Sequence, residues 1–330
     1  MRAKGKIQMI INLITDAPKH NHALMKISTY HKQRGDDVYL NFPLMPADRT
    51  YVSFLFSDSI GCGVHGDVFG GPAFVGSNHD GMFNVSLPLD IELCAPDLGL
   101  YKIDYSLGYS FRPCFRNCSF CKVGRMQHPD TEHHSIWEFH DTSRTKICLL
   151  NNNTFQDKRW KETFEEIWDA SLTVIDENGY DLRLVDDDKA ATLKRTKFQG
   201  KLHFAWDRMK DEKEIISGLQ CLKRHKVKGS VYVLVEYDTT EAENIHRCQV
   251  LKDLGFDFYI MPYGGTKYGK AFKRFADSFM WRKFKTIGEA WKEYKKGAHV
   301  VCAERLPEHY GTSSTSYNTC KMPFLQDVKE

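Results

Sequence analysis

One segment of the chain concentrates residues able to do chemistry. It reads Arg112-Pro113-Cys114-Phe115-Arg116-Asn117-Cys118-Ser119-Phe120-Cys121-Lys122, with three thiols in the spacing C-x3-C-x2-C. Thiolate is a soft ligand that selects zinc, copper(I) or iron–sulfur clusters. A compact loop with three thiolates can hold three irons of a cubane and leave the fourth iron open to another ligand, which can then receive one electron. The competing reading is a structural zinc site with His128, His133 or His134 as fourth ligand. Chance is the weakest competitor, because ten cysteines in 330 positions give about 0.01 such triples. The other seven cysteines, Cys62, Cys94, Cys148, Cys221, Cys248, Cys302 and Cys320, are scattered. That is not the pattern of a small disulfide scaffold, so a reducing cytoplasm is the expected setting.

The elements that must position this loop follow an α/β rhythm. Residues 7–13 read as a buried first strand, not a signal peptide, since Asn12 interrupts the apolar run and Thr15-Asp16-Ala17-Pro18 is a poor cleavage site. His20 to Gln33 reads as a helix with Ala23, Leu24, Ile27 and Tyr30 on one face. Further strands are expected at 37–40, 51–56 and 67–71, the last running into Gly70-Gly71-Pro72. This order predicts a small doubly wound, Rossmann-like domain over residues 1–85. Residues 86–104 read as a connector.

A second series of strands then begins. Strands are expected at 101–109, 146–150, 180–185, 202–206, 230–235 and 256–261, with helices at 157–171, 187–196, 212–225 and 241–254 between the later ones. Six strands, most followed by a helix, indicate parallel βα units that curl into a partial barrel over residues 105–265, with the strand ends facing one mouth. Residues 266–330 read as a helical extension, helical from Lys270 to Tyr294 and rich in Trp, Phe and Lys.

With Phe120 directly before the third cysteine, and with the loop just after the first strand of the six, the segment resembles the signature loop of the radical S-adenosylmethionine (radical SAM) superfamily. The resemblance covers roughly residues 100 to 265 and implies a partial (β/α)6 barrel. It implies that Cys114, Cys118 and Cys121 ligate a [4Fe-4S] cluster and that Phe120 lies beside the cofactor. The amine and carboxylate of S-adenosyl-L-methionine would chelate the fourth iron, and reductive cleavage would give a 5′-deoxyadenosyl radical that takes hydrogen from a substrate. An electron donor such as flavodoxin or ferredoxin is implied as a partner. The family usually has a Gly-Gly-Glu-like turn after the second strand. Here that place reads Asn151-Asn152-Asn153-Thr154, so Asn151 and Asn153 are the amide acceptors expected to stand in for the carboxylate.

Later strand ends add candidates. Arg183 lies in a segment that reads as a buried strand, where a charge needs a carboxylate partner. That partner is either the SAM carboxylate or a protein acid such as Asp181. Asp207 follows the fourth strand and Glu236 ends the fifth, where the resemblance implies a ribose contact; both also read as ordinary solvated loop charges. Tyr263-Gly264-Gly265 offers bare backbone to an adenine.

A small α/β domain ahead of such a barrel resembles the cobalamin-binding subclass. The nearest match to its Asp-x-His-x-x-Gly loop is Asp16-Ala17-Pro18-Lys19-His20, which has the wrong spacing and lacks the glycine. A degenerate domain that does not bind cobalamin is the favoured expectation, with cobalamin binding kept as the alternative, since many members of the subclass lack that histidine.

Weaker features remain. His128, Asp130, Glu132, His133 and His134 form a metal-like set that reads as a solvated loop. Cys302 and Cys320 lack a C-x2-C companion for an auxiliary cluster. The basic, aromatic run 272–285 is either a nucleic-acid stacking surface or an amphipathic helix with a buried aromatic face. Ordinary globular composition excludes a disordered or fibrous chain, and a formal net charge of +3 does not by itself suggest a nucleic-acid coat or a polybasic membrane anchor. No apolar run reaches the roughly 20 residues of a membrane span. Two function classes follow: a radical SAM enzyme acting on an unidentified substrate, with methyl transfer or rearrangement open, or a zinc-stabilised, non-enzymatic nucleic-acid-binding protein.

Overall fold

The computed structural model describes residues 8–75, 86–126 and 130–305, with backbone alone for 298–305. The chain divides into two compact units, one reaching to Asn152 and one running from Asn153.

In the first unit, β1 (Ile10–Thr15), β2 (Asp37–Leu40), β3 (Arg49–Ser53) and β4 (Val68–Gly70) form a parallel sheet in the order β2-β1-β3-β4. Strand β1 is buried at five of its six residues, as expected of a central strand covered on both faces. The crossover to β2 is α1 (His22–Gln33). It starts two residues later than expected, because Asn21 takes the N-cap and its side chain accepts from the Leu24 N–H at 3.2 Å. Leu24 and Ile27 pack on Ile11, Leu13 and Tyr51, each such burial being worth about 2 kcal/mol. The expected strand at 51–56 stops at Ser53. Asp16, at the end of β1, takes the Leu55 and Phe56 N–H groups at 2.7 and 2.9 Å and turns the chain away.

The same unit continues through α2 (Leu89–Glu92) to β5 (Ser106–Gly108) and β6 (Lys146–Leu149), a parallel pair with Gly108 beside Leu149. The expected strand at 101–109 is cut to Ser106–Gly108, and Lys102, in the left-handed region at φ 53°, is kept out of it by its backbone.

In the second unit, α3 (Trp160–Asp169) leads to β7 (Thr173–Ile175), and α4 (Asp187–Arg195) leads to β8 (Phe198–Gln199), which pairs in parallel with β7. Next come β9 (Leu202–Trp206), α5 (Glu212–Arg224), β10 (Gly229–Val235), α6 (Glu241–Leu254) and β11 (Asp257–Pro262). The three strands form a parallel sheet in the order β11-β10-β9. Two helices, α7 (Lys267–Asp277) and α8 (Ile287–Arg305), follow where one was expected. Phe279, at φ 53°, breaks the run between them.

The strand expected at 180–185 is absent. Tyr180 makes a single bridge to Phe204, and Leu182–Leu184 is a 3₁₀ turn. Asp181 caps that turn by accepting from the Arg183 N–H at 3.2 Å, a local bond that competes with a strand ladder. Gly218 lets α5 approach this turn, since a Cβ there would lie 2.2 Å from the Leu182 carbonyl oxygen.

Candidate active site

The cysteine loop leaves the end of β5 and is fixed from β6. The Asn151 Oδ1 accepts from the N–H groups of Ser110 and Phe111 at 2.9 and 3.0 Å, and its Nδ2 donates to Ser110 Oγ at 2.9 Å. The Asn152 Nδ2 donates to the Arg112 carbonyl oxygen at 2.5 Å. Parallel register explains this: with Gly108 beside Leu149, residue 151 falls beside 110 and 111. Asn151, read from the sequence as a cofactor-amine acceptor, is here a buried clamp on the backbone entering the loop. On the other side, Phe111 bridges His133, and the His134 N–H donates to the Ser110 carbonyl at 2.8 Å.

Within the loop, Cys114, Cys118, Phe120 and Cys121 are half-buried, and Phe115 is exposed. The Cys121 N–H closes a turn onto the Cys118 carbonyl at 2.9 Å. Asn117 holds a left-handed φ of 43°. Gly124 is required beside it, because a Cβ would lie 2.7 Å from Asn117 Oδ1. Directly after the third cysteine, Lys122 reaches two 3₁₀ turns of the same unit that follow β3 and β4, donating to the Pro72 carbonyl at 2.9 Å and to Ser57 Oγ at 3.1 Å. The sequence reading gave Lys122 no role.

In the second unit, polar side chains gather at strand ends. Asn153 is buried; its Nδ2 donates to Asp181 Oδ2 at 3.1 Å, while its Oδ1 is buried without a hydrogen-bond partner. Arg183 forks onto Asp181 at 2.7 and 3.1 Å and reaches Asp211 at 3.0 Å. Its charge is thus met by protein carboxylates, the second of the two partners the sequence left open, and it lies in a 3₁₀ turn instead of a strand. Arg208 also donates to Asp211, at 3.2 Å.

Asp207 follows β9, and its carboxylate has no hydrogen-bond or ion-pair partner among the described residues. Burial pushes its pKa up to about 6, against the pull of Arg183 and Arg247. Glu236 sits at φ 72° just past β10. Its carboxylate accepts from the Thr266 hydroxyl and from the N–H groups of Gly264 and Gly269 at 3.1 and 3.0 Å. Burial alone would raise its pKa, but these donors hold it below the usual carboxylate range. Glu236 therefore holds the N-terminal end of α7. Gly269 makes room for it, since a Cβ would lie 2.5 Å from the carboxylate. Tyr263 donates its N–H to the Val235 carbonyl at 3.0 Å, and its ring meets Tyr237.

Arg247 is the residue the sequence reading missed. It lies on α6, fully buried. Its Nη1 donates to the carbonyls of Trp206 and Asp207 at 2.7 and 3.2 Å, and its Nη2 to the Leu234 carbonyl at 2.7 Å. One guanidinium thus joins the C-terminal ends of β9 and β10. The available signal was a charge on the face shared by Asn244, Cys248 and Leu251, at helical spacing.

The weaker sequence features resolve as follows. His134 lies between Asp130 and Glu138, at 3.0 and 2.8 Å; burial opposes its charge, but the two acids raise its pKa. His128, the Cys302 side chain and Cys320 lie outside the described residues. Phe272, Phe275 and Trp291 are buried and pack on one another, and Trp281 is buried against Phe258, so most of the aromatic run is a core face, with Phe279 left exposed under Arg282. Asp16 is bonded to the β3–β4 connection, and His20 Nδ1 lies 2.8 Å from the Tyr105 hydroxyl. No described helix is long and apolar enough to cross a membrane.

No protein-family model matches the sequence, and no curated protein does. Solved structures do match. The fold is similar to that of the radical S-adenosylmethionine methyltransferase TsrM from Kitasatospora setae with cobalamin and a [4Fe-4S] cluster bound. The TM-score is 0.51 at 9% identity, over 78% of this chain and 75% of that one. A second structure of TsrM, with tryptophan substrate and the SAM analog aza-SAM, gives a TM-score of 0.52 at 10% identity over 76% and 72%. The chain thus has an α/β fold similar to that of a radical SAM methyltransferase whose structures hold an iron–sulfur cluster and cobalamin.

Proposed function

We propose that this chain is a radical SAM enzyme in which Cys114, Cys118 and Cys121 hold a [4Fe-4S] cluster. One observation carries the reading: a three-thiol loop leaves the end of a parallel strand, clamped by Asn151 and Asn152, in a fold similar to TsrM. Bound there, such a cluster supplies one electron for the reductive cleavage of S-adenosylmethionine.

The chain's own residues bind and orient. The buried, unpartnered Asn153 Oδ1 is suited to accept from an ammonium group, which would relieve the cost of leaving it unsatisfied. Asp207 carries an acid whose oxygens are uncommitted within its unit, suited to a hydroxyl or cationic group. Arg183 and Arg247 hold the backbone and acids around it. Asp16 and His20 are engaged elsewhere and do not form the Asp-x-His-x-x-Gly ligand loop of a cobalamin domain. The reaction reads as group transfer or hydrogen abstraction on an unidentified substrate. A flavodoxin- or ferredoxin-type protein is the proposed electron donor.

The test is anaerobic reconstitution with iron and sulfide, followed by electron paramagnetic resonance of the reduced protein. The expected result is a cluster signal that shifts when S-adenosylmethionine is added. A reconstituted protein that takes up no iron and stays colourless, and that loses one equivalent of bound zinc in Cys118→Ala, would overturn the proposal.

A further inference from the structure

We propose that Asp187, Cys221 and His225 form a separate site for one borderline divalent metal ion, zinc being the best match. Asp187 opens α4, while Cys221 and His225 stand one turn apart at the C-terminal end of α5, where i and i+4 share a face. The donor atoms lie within 4.8 Å of one another. The Asp187 Oδ1 is 2.8 Å from His225 Nε2 and 3.4 Å from Cys221 Sγ. Ligands of a tetrahedral zinc, bound at about 2.0–2.3 Å, stand roughly 3.3–3.8 Å apart, so small side-chain adjustments suffice.

One sulfur, one imidazole nitrogen and one carboxylate oxygen select zinc over magnesium or calcium, which take all-oxygen sets. The ion would take the place of the protons that now link the thiol and imidazole to Asp187, and these leave to solvent. Cys221 is 3% exposed and Asp187 67%, so the fourth position faces water. Arg224, 3.1 Å from Asp187 Oδ1 and 60% exposed, can turn outward or remain as an outer partner of the carboxylate. An ordinary surface ion pair would need only Arg224 and His225; the buried thiol aimed at the same oxygen is what points to a metal. The site would pin the start of α4 to the end of α5. It does not depend on the reading of the cysteine loop.

The test is cobalt(II) titration of the full-length, metal-free Cys118→Ala chain, in which the cysteine loop has lost a ligand. One equivalent with thiolate-to-cobalt charge-transfer absorption is expected. That absorption should vanish when Cys221→Ser is added, and affinity should fall at least about 10-fold with His225→Gln. Zinc should raise the melting temperature of the parent and not of the Cys221→Ser chain. Absorption that persists without Cys221, or its absence from the parent, would overturn the site. If Cys221→Ser fails to fold, the surface changes Asp187→Asn and His225→Gln decide between the same outcomes: a loss of cobalt affinity supports the site, and unchanged affinity in both rejects it.

Discussion

The cysteine loop and the strand ends of the second unit solve opposite problems. The loop gathers its donors from eight consecutive positions, Cys114 to Cys121, and relies on neighbouring backbone contacts for shape. Asn151, Asn152 and Lys122 all bond to main-chain atoms around it. The strand ends draw polar side chains from distant parts of the sequence, and many of these groups neutralise one another. Arg183 is taken up by Asp181 and Asp211, and Glu236 by the start of α7. Among the described residues at these strand ends, what remains uncommitted is small: the Asn153 Oδ1, the Arg247 Nε and the Asp207 carboxylate. Ligand-binding capacity is thus better judged from unspent hydrogen-bonding groups than from charge at a strand end.

The largest effect separates the loop from everything else. Cys118→Ala should abolish cluster assembly, read as iron and sulfide per chain, while leaving the melting temperature of the metal-free protein close to wild type. Retention of a full complement of iron would mean that the loop is not the ligand set.

The next effect belongs to the strand ends. Arg247→Met strands the carbonyls of Trp206 and Leu234 and should cost about 3 kcal/mol in urea unfolding. A loss below about 1 kcal/mol would show that the guanidinium does not tie β9 to β10.

Asp207→Asn tests the unspent acid through pH. The folded-state pKa is about 6 against 3.8 for the free side chain, so the native protein holds a proton that the unfolded chain releases. Between these values the contribution of Asp207 to stability falls as pH rises. The asparagine variant should therefore gain on wild type across that window and hold a constant advantage above it. Parallel curves would place Asp207 in ordinary solvent.

The smallest effect is Lys122→Ala, which removes two hydrogen bonds between the loop and the turns at Ser57 and Pro72 of the first unit. Hydrogen exchange of amides in the 118–126 segment should quicken by an amount worth about 1 kcal/mol, with global stability nearly unchanged.

How much of this was legible follows the range of the interactions. The loop could be read because thiol type and spacing are local. β9 and β10 could be read because their apolar residues lie within the strands themselves. The segment 180–185 misled: its alternation of Leu and Val with Asp and Arg imitates a strand, while the Asp181 cap on Arg183 makes a turn. The three-residue β7 was too short to give a pattern. Asn151 was placed near the right region with the wrong task, because only the register of β5 on β6 shows that its amide is consumed by Ser110 and Phe111. Arg247 was missed because most of its partners are backbone carbonyls, which any residue supplies, and only its place on the buried face of α6 marked it.

The central claim is tested most directly by the product of S-adenosylmethionine cleavage. Wild type and Cys118→Ala, reconstituted together without oxygen, reduced, and given S-adenosylmethionine, would be assayed for 5′-deoxyadenosine by mass spectrometry. The account predicts the nucleoside from wild type and none from the variant. Its absence from a wild-type protein that carries a full cluster, or equal amounts from both proteins, would contradict it.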